Sequence, residues 1–232
     1  MRPFIVAIDG PAGAGKSTAA RRLAARLGFA MVDTGAIYRA VALAATRGGI
    51  AFDDDARLAE LLPTLRIRFE PVAGGQRVLL DGEDVSAEIR TAPISLGASA
   101  VSARPVVRAA LLGLQQQLAK AEGNRGAVLE GRDIGTVVFP DADVKFFLTA
   151  TPEVRAQRRY DELVGKGQPG TLEQVLADQQ KRDRDDSQRA VAPLRPADDA
   201  LLVDTSDLSL EGVIEALSSA VEGRLAARGS AG

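Results

Sequence analysis

The sequence has 232 residues, a net charge of −2 and a hydrophobic fraction of 46 %, which suffices for the core of one α/β domain with an insertion or of two small domains. It contains neither cysteine nor histidine. The lack of cysteine and histidine excludes disulfides, thiolate and imidazole metal sites and a Ser-His-Asp triad. The small net charge gives no reason to expect nucleic-acid or membrane partners. No apolar run of about 18 residues and no signal peptide is found, so a cytoplasmic protein is expected.

The first 62 residues alternate short apolar runs with helical patterns. The run "FIVAI" predicts a buried strand, and the apolar stripe that begins at Lys16 predicts a helix ended by Gly28. The stretch "FAMVD" predicts a second strand, "TGAIYRAVALAATRGG" a second helix, and "DDDARLAELLPTL" a short helix broken around Pro63.

Residues 63–90 follow a different pattern. The segments "LRIRFE", "QRVLLDG" and "EDVS" are short and partly alternating, and "AGG" and "DG" separate them. These are hairpin signals. They predict a small antiparallel insert within a chain that otherwise alternates strands and helices.

From residue 91 the helices and strands resume. A helical pattern runs through "ISLGASAVSARPVVRAALLGLQQQLAKAEG", with Pro105 marking a helix start or kink. The runs "GAVLE", "VKFFLTA" and "ALLVDTS" predict strands, and "TPEVRAQRRYDELVGKG" and "TLEQVLADQQKRDRDDSQR" predict charged helices. The inward face of the closing helix is expected to hold Val213, Ile214, Leu217, Val221 and Leu225.

This alternation predicts an α/β fold with a parallel sheet and helices on both of its faces. We expect residues 1–62 and 91–226 to form the core, residues 63–90 the antiparallel insert, and residues 227–232 a disordered tail.

The glycine loop after the first strand carries the clearest chemical signal. "GPAGAGKS" matches G-x-x-x-x-G-K-[ST] at every position, and it lies after a strand and before a helix, as the motif requires. Its N–H groups can approach a polyphosphate, Lys16 can reach the β- and γ-phosphates, and the Ser17 hydroxyl can bind Mg²⁺. The residues predicted to bind ATP are Gly10, Pro11, Ala12, Gly13, Ala14, Gly15, Lys16, Ser17 and Thr18.

Other interpretations of this loop are a glycine-rich turn without a ligand, a dinucleotide site, a GTPase and a motor ATPase. The dinucleotide fingerprint G-x-G-x-x-G fails because, counted from Gly13, its sixth position is Thr18. A GTPase would need Asn-Lys-x-Asp, and the one asparagine is Asn124 in "GNRG". The motor ATPase and the ligand-free turn stay open.

Arginines occur in short clusters along the second half of the chain. For most of them a solvated helix face is an equal alternative. Arg132 differs, because "EGRD" follows a strand, and open α/β sheets bind ligands at the carboxyl ends of strands. One phosphate loop with converging arginines predicts phosphoryl transfer between two phosphates, where positioning and positive charge do most of the catalysis. An acceptor that is already ionised needs no strong base, which suits a chain without histidine.

The motifs "IDGPAGAGKST", "DTGAIYRA", "GRDIGTVVFPDADVKFFL" and "RAVAPLRPADDAL" together resemble the bacterial-type cytidylate kinase family, from about Ile5 to Leu225. The resemblance implies a P-loop nucleoside monophosphate kinase: a three-layer P-loop NTPase core, an antiparallel insert and a short helical lid at about 153–169. The implied reaction is ATP-dependent phosphorylation of CMP and dCMP with Mg²⁺, in a monomer.

The resemblance also implies roles for individual residues. Positions that match the family's CMP contacts are Thr34, Tyr38, Arg39, Ser99, Arg108, Arg132, Asp133, Arg182, Asp186 and Arg189. The residues implied to neutralise charge in the reaction are Lys16, Arg132, Arg158 and Arg189, with Arg158 as the lid arginine, and Ser17 is implied to position Mg²⁺.

Structural alternatives apply to several of these residues. Ser99 could be a small helix-packing residue, Asp133 a helix cap and Tyr38 an ordinary core residue. Glu130 stands where aspartate is frequent in relatives, and it could bind a Mg²⁺ water or brace Arg132. At the level of function, the alternatives are another small-acceptor kinase of the uridylate or shikimate type, and a P-loop ATPase or nucleotide-sensing regulator.

Overall fold

A computed structural model describes residues 2–72, 75–121, 123–165, 167 and 170–230. Within these ranges the strands are β1 (Phe4–Asp9), β2 (Ala30–Asp33), β3 (Ile67–Val72), β4 (Gly75–Leu80), β5 (Glu83–Asp84), β6 (Gly126–Glu130), β7 (Val144–Thr149) and β8 (Leu201–Asp204). The α-helices are α1 (Lys16–Leu27), α2 (Thr34–Arg47), α3 (Asp55–Leu61), α4 (Ala92–Ser102), α5 (Pro105–Ala119), α6 (Pro152–Gly165), α7 (Leu172–Gln188) and α8 (Leu210–Gly229).

The chain divides into two compact units, residues 1–32 with 118–232 and residues 33–117. The first unit is built on a five-stranded sheet in the order β2-β6-β1-β7-β8. Strand β1 is parallel to β6 on one side and to β7 on the other, and β7 is parallel to β8. All six residues of β1 are buried, so the centre of this sheet is covered on both faces.

One face of the central strands is covered by α1 and α8. Phe4, Val6 and Ile8 alternate along β1 and pack in one cluster with Leu23 of α1 and Leu217 of α8. Alternate residues of a strand face the same side of the sheet, and the apolar stripe of an amphipathic helix packs against that side. The inward positions predicted on α8 are confirmed, with Leu225 partly buried at the edge of the cluster.

The second unit combines helices with a small antiparallel sheet in the order β3-β4-β5. Ile67 of β3 pairs with Leu80 of β4, and both are buried on one side of this sheet. Helices α2 and α4 pack together at Gly97, where a Cβ atom would lie 3.3 Å from Ala42 Cβ of α2 and 2.6 Å from Phe52 Cζ of the segment after α2.

The predicted α/β class, with a parallel sheet and a small antiparallel sheet, is confirmed. Pro105 begins α5, so of the predicted helix start or kink the helix start is confirmed. One element was missed: residues Ile134–Val138 form a turn of π-helix where the sequence predicted a loop. The backbone oxygen of Asp133 accepts from the N–H groups of Val137 and Val138 at 2.9 and 3.2 Å, which winds this turn.

The boundaries predicted for the insert, the lid and the tail stay predictions. Strands β3–β5 lie within 63–90. The lid range 153–169 includes residues 166, 168 and 169, and the tail range 227–232 includes residues 231 and 232; these five lie outside the described residues. Helix α8 continues to Gly229.

In the part of the chain that the structure describes, no helix has the length and apolar character needed to cross a bilayer.

We expect Leu217→Ala to lower the free energy of unfolding by about 2–5 kcal/mol, because it leaves a cavity in the cluster between α8 and the sheet. Leu217 is fully buried, whereas Leu202 on β8 is 69 % exposed. The control Leu202→Ala should therefore change the free energy of unfolding by no more than about 0.5 kcal/mol. Urea denaturation of the two variants measures both values, and equal effects would contradict this account of the core.

Candidate active site

The glycine loop leaves the end of β1 and passes against the neighbouring strand β7. Gly10 has φ +144°, and a Cβ atom there would lie 2.0 Å from the backbone oxygen of Leu148. No side chain fits so close to a backbone oxygen, so this position must be glycine. The loop therefore starts at the carboxyl edge of the sheet, and it leads directly into the N-terminus of α1 at Lys16.

Lys16 is buried at the start of α1. Its Nζ donates a hydrogen bond of 2.6 Å to the backbone oxygen of Pro11, which curls the side chain back over the loop. Burial and the nearby charges of Arg132 and Arg182 lower the pKa of Lys16 well below its usual range. The carboxylates of Glu130 and Asp9 act in the opposite direction, and a bound anion would do the same.

Ser17 and Glu130 join α1 to the end of β6. The Ser17 hydroxyl donates a hydrogen bond of 2.7 Å to Glu130 Oε2, and the Glu130 side chain is buried. Glu130 thus reaches the hydroxyl of the glycine loop. A hydroxyl and a carboxylate are hard oxygen donors, which Mg²⁺ prefers.

Arg132 lies in the loop after β6 and pairs with Asp186 of α7. Arg132 Nε donates to Asp186 Oδ2 at 2.9 Å, and the Asp186 side chain is 6 % exposed. Burial alone would raise the pKa of Asp186, but the charges of Arg132 and Arg182 outweigh it and hold the pKa below its ordinary value. One carboxylate thus compensates several guanidinium groups and stays ionised among them.

Arg189 and Asp133 complete this cluster. Arg189 Nη2 lies 3.9 Å from Asp133 Oδ1, and both side chains are 6 % exposed. Arg189 Nε also donates to the backbone oxygen of Ala192. The Asp133 side chain makes no capping hydrogen bond to the turn that follows it, which argues against the helix-cap alternative.

Arg158, expected as the lid arginine, lies on α6 and contacts the segment after β8. Its Nη1 donates to Thr205 Oγ1 at 2.9 Å and its Nη2 to the Thr205 backbone oxygen at 2.6 Å. Thr205 Oγ1 also lies 3.4 Å from the backbone oxygen of Ala14 in the glycine loop. The role of Arg158 in phosphoryl transfer stays a prediction.

Arg155 is a functional candidate that sequence reasoning missed. Its Nη1 donates to the backbone oxygen of Ala12 at 3.1 Å and lies 2.7 Å from Asp183 Oδ2 of α7. A Cβ atom on Gly13 would lie 2.9 Å from Arg155 Cβ and 3.0 Å from Gln179 Nε2. Helices α6 and α7 are therefore tied to the glycine loop through this buried arginine.

The second unit holds a separate group of predicted residues. The Arg108 guanidinium carbon lies 5.9 Å from the centroid of the Tyr38 ring, within cation–π range, and Arg108 Nη1 donates to the backbone oxygen of Ser102 at 3.2 Å. Tyr38 is buried, so packing and ligand contact are both open to it. Ser99 is half-buried on α4, and its backbone oxygen accepts from the Ser102 hydroxyl at 2.8 Å.

Arg39 and Thr34 lie in the first two turns of α2. Arg39 Nη2 donates to Asp33 Oδ2 at 2.8 Å, while Asp33 Oδ1 caps the helix by accepting from the Ala36 N–H at 2.9 Å. Thr34 is buried as the first residue of the helix. Asp33 thus holds Arg39, for which the family resemblance implies contact with CMP.

Within the first unit, the structure brings together Lys16, Ser17, Arg132, Asp133, Arg182, Asp186 and Arg189. Within the second unit, Tyr38 and Arg108 form one contact and Arg39 lies on the same helix as Tyr38. The binding and catalytic roles predicted for all of these residues stay predictions.

Asp9 is the second residue that sequence reasoning missed. Its two carboxylate oxygens accept hydrogen bonds of 2.8 Å from the consecutive N–H groups of Ile134 and Gly135. A signal was available, since a carboxylate at the end of a fully buried strand must find partners. Arg155 offered no such signal, because one arginine in the charged pattern of α6 looks like the others.

Comparison with known proteins identifies relatives over nearly the whole chain. The family model described as Cytidylate kinase matches residues 6–223. The chain is 55 % identical over 222 residues to a cytidylate kinase of Geobacter sp. strain M21, covering 96 % of the chain and 94 % of the relative. It is 56 % identical over 223 residues to that of Geobacter sulfurreducens, with the same coverages. For the cytidylate kinase of Actinobacillus succinogenes the identity is 48 % over 229 residues, covering 96 % of the chain and the whole relative.

The pKa of Asp9 gives a prediction about stability. Burial raises the pKa of Asp9 to about 6 from 3.8, against the opposing effect of its two backbone hydrogen bonds. Between these two values the folded chain keeps a proton that the unfolded chain has lost, so the free energy of unfolding should fall as the pH rises. The contribution of this group is at most about 1.4 kcal/mol per pH unit.

The measurement is urea denaturation of the wild type and Asp9→Asn from pH 4 to pH 7. Other titrating groups cancel in the difference between the two proteins. The free energy of unfolding of the wild type, relative to that of Asp9→Asn, should decline across this range and level off above the pKa. A difference that stays constant with pH would contradict the raised pKa.

Proposed function

The chain belongs to the cytidylate kinase family, and we propose that it transfers the γ-phosphoryl group of ATP to the phosphate of CMP or dCMP. The observation that carries this proposal is the position of two cationic sites at one sheet edge. Lys16 follows β1 and Arg132 follows β6, and these strands are parallel neighbours, so both residues leave the same end of the sheet. Their charges act on each other.

In the proposed reaction, an oxygen of the CMP phosphate attacks the γ-phosphorus of ATP. The bond from the γ-phosphorus to the β,γ-bridging oxygen breaks, and ADP leaves with that oxygen. Since the second pKa of a phosphate ester is about 6, the acceptor oxygen is already ionised at pH 7 and needs no general base. The protein supplies position and positive charge, from groups it already holds in place.

ATP is proposed to bind the glycine loop, with Gly10 to Thr18 around its phosphates and Lys16 toward the transferring group. The arginines Arg132 and Arg189, together with Arg158, are proposed to neutralise the charge that spreads over the equatorial oxygens. Displacing Lys16 Nζ from the backbone oxygen of Pro11 frees it to reach a phosphate. This change exchanges a neutral acceptor for an ionised one, which strengthens the hydrogen bond.

Mg²⁺ is proposed to accompany ATP, with the Ser17 hydroxyl as its protein ligand. The donor set fits, because Ser17 Oγ and the Glu130 carboxylate are oxygen donors in contact with each other. When bound, the ion supplies charge neutralisation to the phosphates. Among the described residues no group of three or more acidic side chains could hold a metal ion, which favours a metal held mainly by the nucleotide.

Selectivity for cytosine is proposed to rest on donors and acceptors in the correct order. Asp133 can accept from the N4 amino group, while Arg108 and Ser99 can donate to N3 and O2. Uracil presents oxygen at position 4, so a carboxylate there would meet an acceptor instead of a donor, which is costly when buried. Thr34, Tyr38, Arg39, Arg182, Asp186 and Arg189 are proposed as the remaining CMP contacts. The monomeric state and cytoplasmic location predicted from the sequence belong to this proposal.

The test is a coupled assay that follows ADP release with CMP, dCMP, UMP, AMP and shikimate as acceptors. The proposal expects turnover with CMP and dCMP well above the others. Turnover highest with UMP or shikimate would favour the other small-acceptor kinases. ATP hydrolysis that is indifferent to every acceptor would favour the ATPase or regulator.

We expect Lys16→Ala to lower kcat by about two orders of magnitude or more, because it removes a cation that faces the transferring group in the transition state. The control is Lys181→Ala, since the Lys181 side chain is 72 % exposed on α7. Steady-state kinetics should show the control within about twofold of the wild type. A near-normal kcat in Lys16→Ala would exclude the proposed role.

We expect Asp133→Ala to raise KM for CMP about tenfold or more while leaving KM for ATP within about threefold, because it removes a charged hydrogen-bond acceptor from one substrate only. The control is Asp185→Ala, whose carboxylate is 55 % exposed. Equal losses for both nucleotides would mean that Asp133 does not contact the cytosine.

A further inference from the structure

The carboxylate of Asp9 connects the glycine loop after β1 to the loop after β6 that holds Arg132. Asp9 is the last residue of β1, immediately before Gly10, and it is 4 % exposed. Its Oδ1 accepts from the Ile134 N–H and its Oδ2 from the Gly135 N–H, both at 2.8 Å. We propose that Asp9 is a positioning residue that fixes Arg132 and Asp133 relative to the glycine loop; this inference rests on the proposed function, in which that loop binds ATP.

The sheet fixes the backbone on the near side of Arg132. Strand β6 pairs with β1 up to Glu130, which lies opposite Ile8. The Gly131 N–H then donates to the backbone oxygen of Ile8 at 3.0 Å, so the ladder extends one residue past the strand. Arg132 therefore leaves from a fixed backbone point.

On the far side of Asp133 the chain enters the turn of π-helix, Ile134–Val138. The N–H groups of Ile134 and Gly135 belong to the first residues of this turn, and at a helix start such groups lack partners inside the helix. Asp9 accepts from both of them. Arg132 and Asp133 are consequently the two residues held between Gly131 on the ladder and Ile134 on the carboxylate.

Gly135 lies close to the Asp9 side chain and to the Lys145 side chain. A Cβ atom there would lie 3.1 Å from Lys145 Cδ and 3.4 Å from Asp9 Oδ2. Lys145 itself reaches past the turn, where its Nζ donates to the backbone oxygen of Pro140 at 2.6 Å. The turn is thus confined between Asp9 and Lys145.

The chemistry of this contact requires a carboxylate. Two adjacent N–H donors need two acceptor oxygens on one side chain, and an asparagine of the same size offers only one. Its NH₂ group would face one of the two N–H groups and leave that donor unsatisfied. The charged groups that act on Asp9 are Asp133 and Lys16, and Lys145 flanks the same turn.

The experiment compares Asp9→Asn with the wild type and with Asp143→Asn. The control is matched, because Asp143 Oδ2 accepts from the Ile5 N–H of the same strand at 2.8 Å, toward the opposite end of β1. If Asp9 positions the loop that holds Arg132 and Asp133, Asp9→Asn should raise KM for CMP about tenfold over the wild type and lower kcat. The Kd of ATP should stay within about threefold of the wild-type value. Asp143→Asn should leave KM for CMP, kcat and the Kd of ATP within about twofold.

A second measurement does not depend on the substrate. Amide hydrogen exchange of the free protein should be at least tenfold faster at Ile134 and Gly135 in Asp9→Asn, and unchanged there in Asp143→Asn. If Asp9→Asn does not fold, the wild type still gives a result. The amide chemical shifts of Ile134 and Gly135 should then titrate together near pH 6, where the pKa of Asp9 is about 6.

Each outcome has one meaning. A raised KM for CMP with faster exchange at both amides supports the inference. Unchanged exchange, or amide shifts in the wild type that do not titrate together, would overturn it whatever the substrate. Equal weakening of CMP and ATP in Asp9→Asn would overturn it too, since Asp9 would then act on the ATP loop. A wild type that ignores CMP would instead count against the proposed function, and the exchange data would still decide the contact.

Discussion

The arrangement of this molecule depends on the parallel pairing of β1 with β6. Because the two strands run side by side in the same direction, the glycine loop after β1 and the Arg132 loop after β6 emerge at one edge of the sheet. Gly10 lets the first loop pass against β7, and Asp9 holds the turn that follows the second loop. A transfer between two phosphates requires this adjacency, since the donor and acceptor groups must meet within bonding reach.

Charge is the second constraint on this edge of the sheet. Lys16, Arg132, Arg182 and Arg189 lie near one another, and the carboxylates of Asp9, Glu130, Asp133 and Asp186 lie among them. Burial, and after it the charges of Arg132 and Arg182, lower the pKa of Lys16. The same two arginines keep the pKa of Asp186 low despite its burial.

The sequence alone determined most of the helices and strands and predicted the chemistry of the glycine loop. Runs such as "FIVAI" and "VKFFLTA" predict buried strands, and a strand, a glycine loop with Lys16 and Ser17, and a helix in that order predict phosphate binding through local backbone geometry. Residues whose role depends on their neighbours along the chain were thus accessible: the N-terminus of α1, the start of α5 at Pro105 and the inward face of α8. The family resemblance extended this to Arg132 and the residues implied to contact CMP.

Only the tertiary structure decided which side chains contact one another across the chain. Asp9 and Gly135 are far apart in sequence, as are Arg155 and Ala12, and no local pattern distinguishes a carboxylate or guanidinium with a distant backbone partner from one on a solvated face. The turn of π-helix at Ile134–Val138 was missed for the same reason, because part of what holds it is the Asp9 carboxylate on another strand. Local propensity fixes helices and strands, whereas hydrogen bonds between distant residues are fixed by the register in which the strands meet.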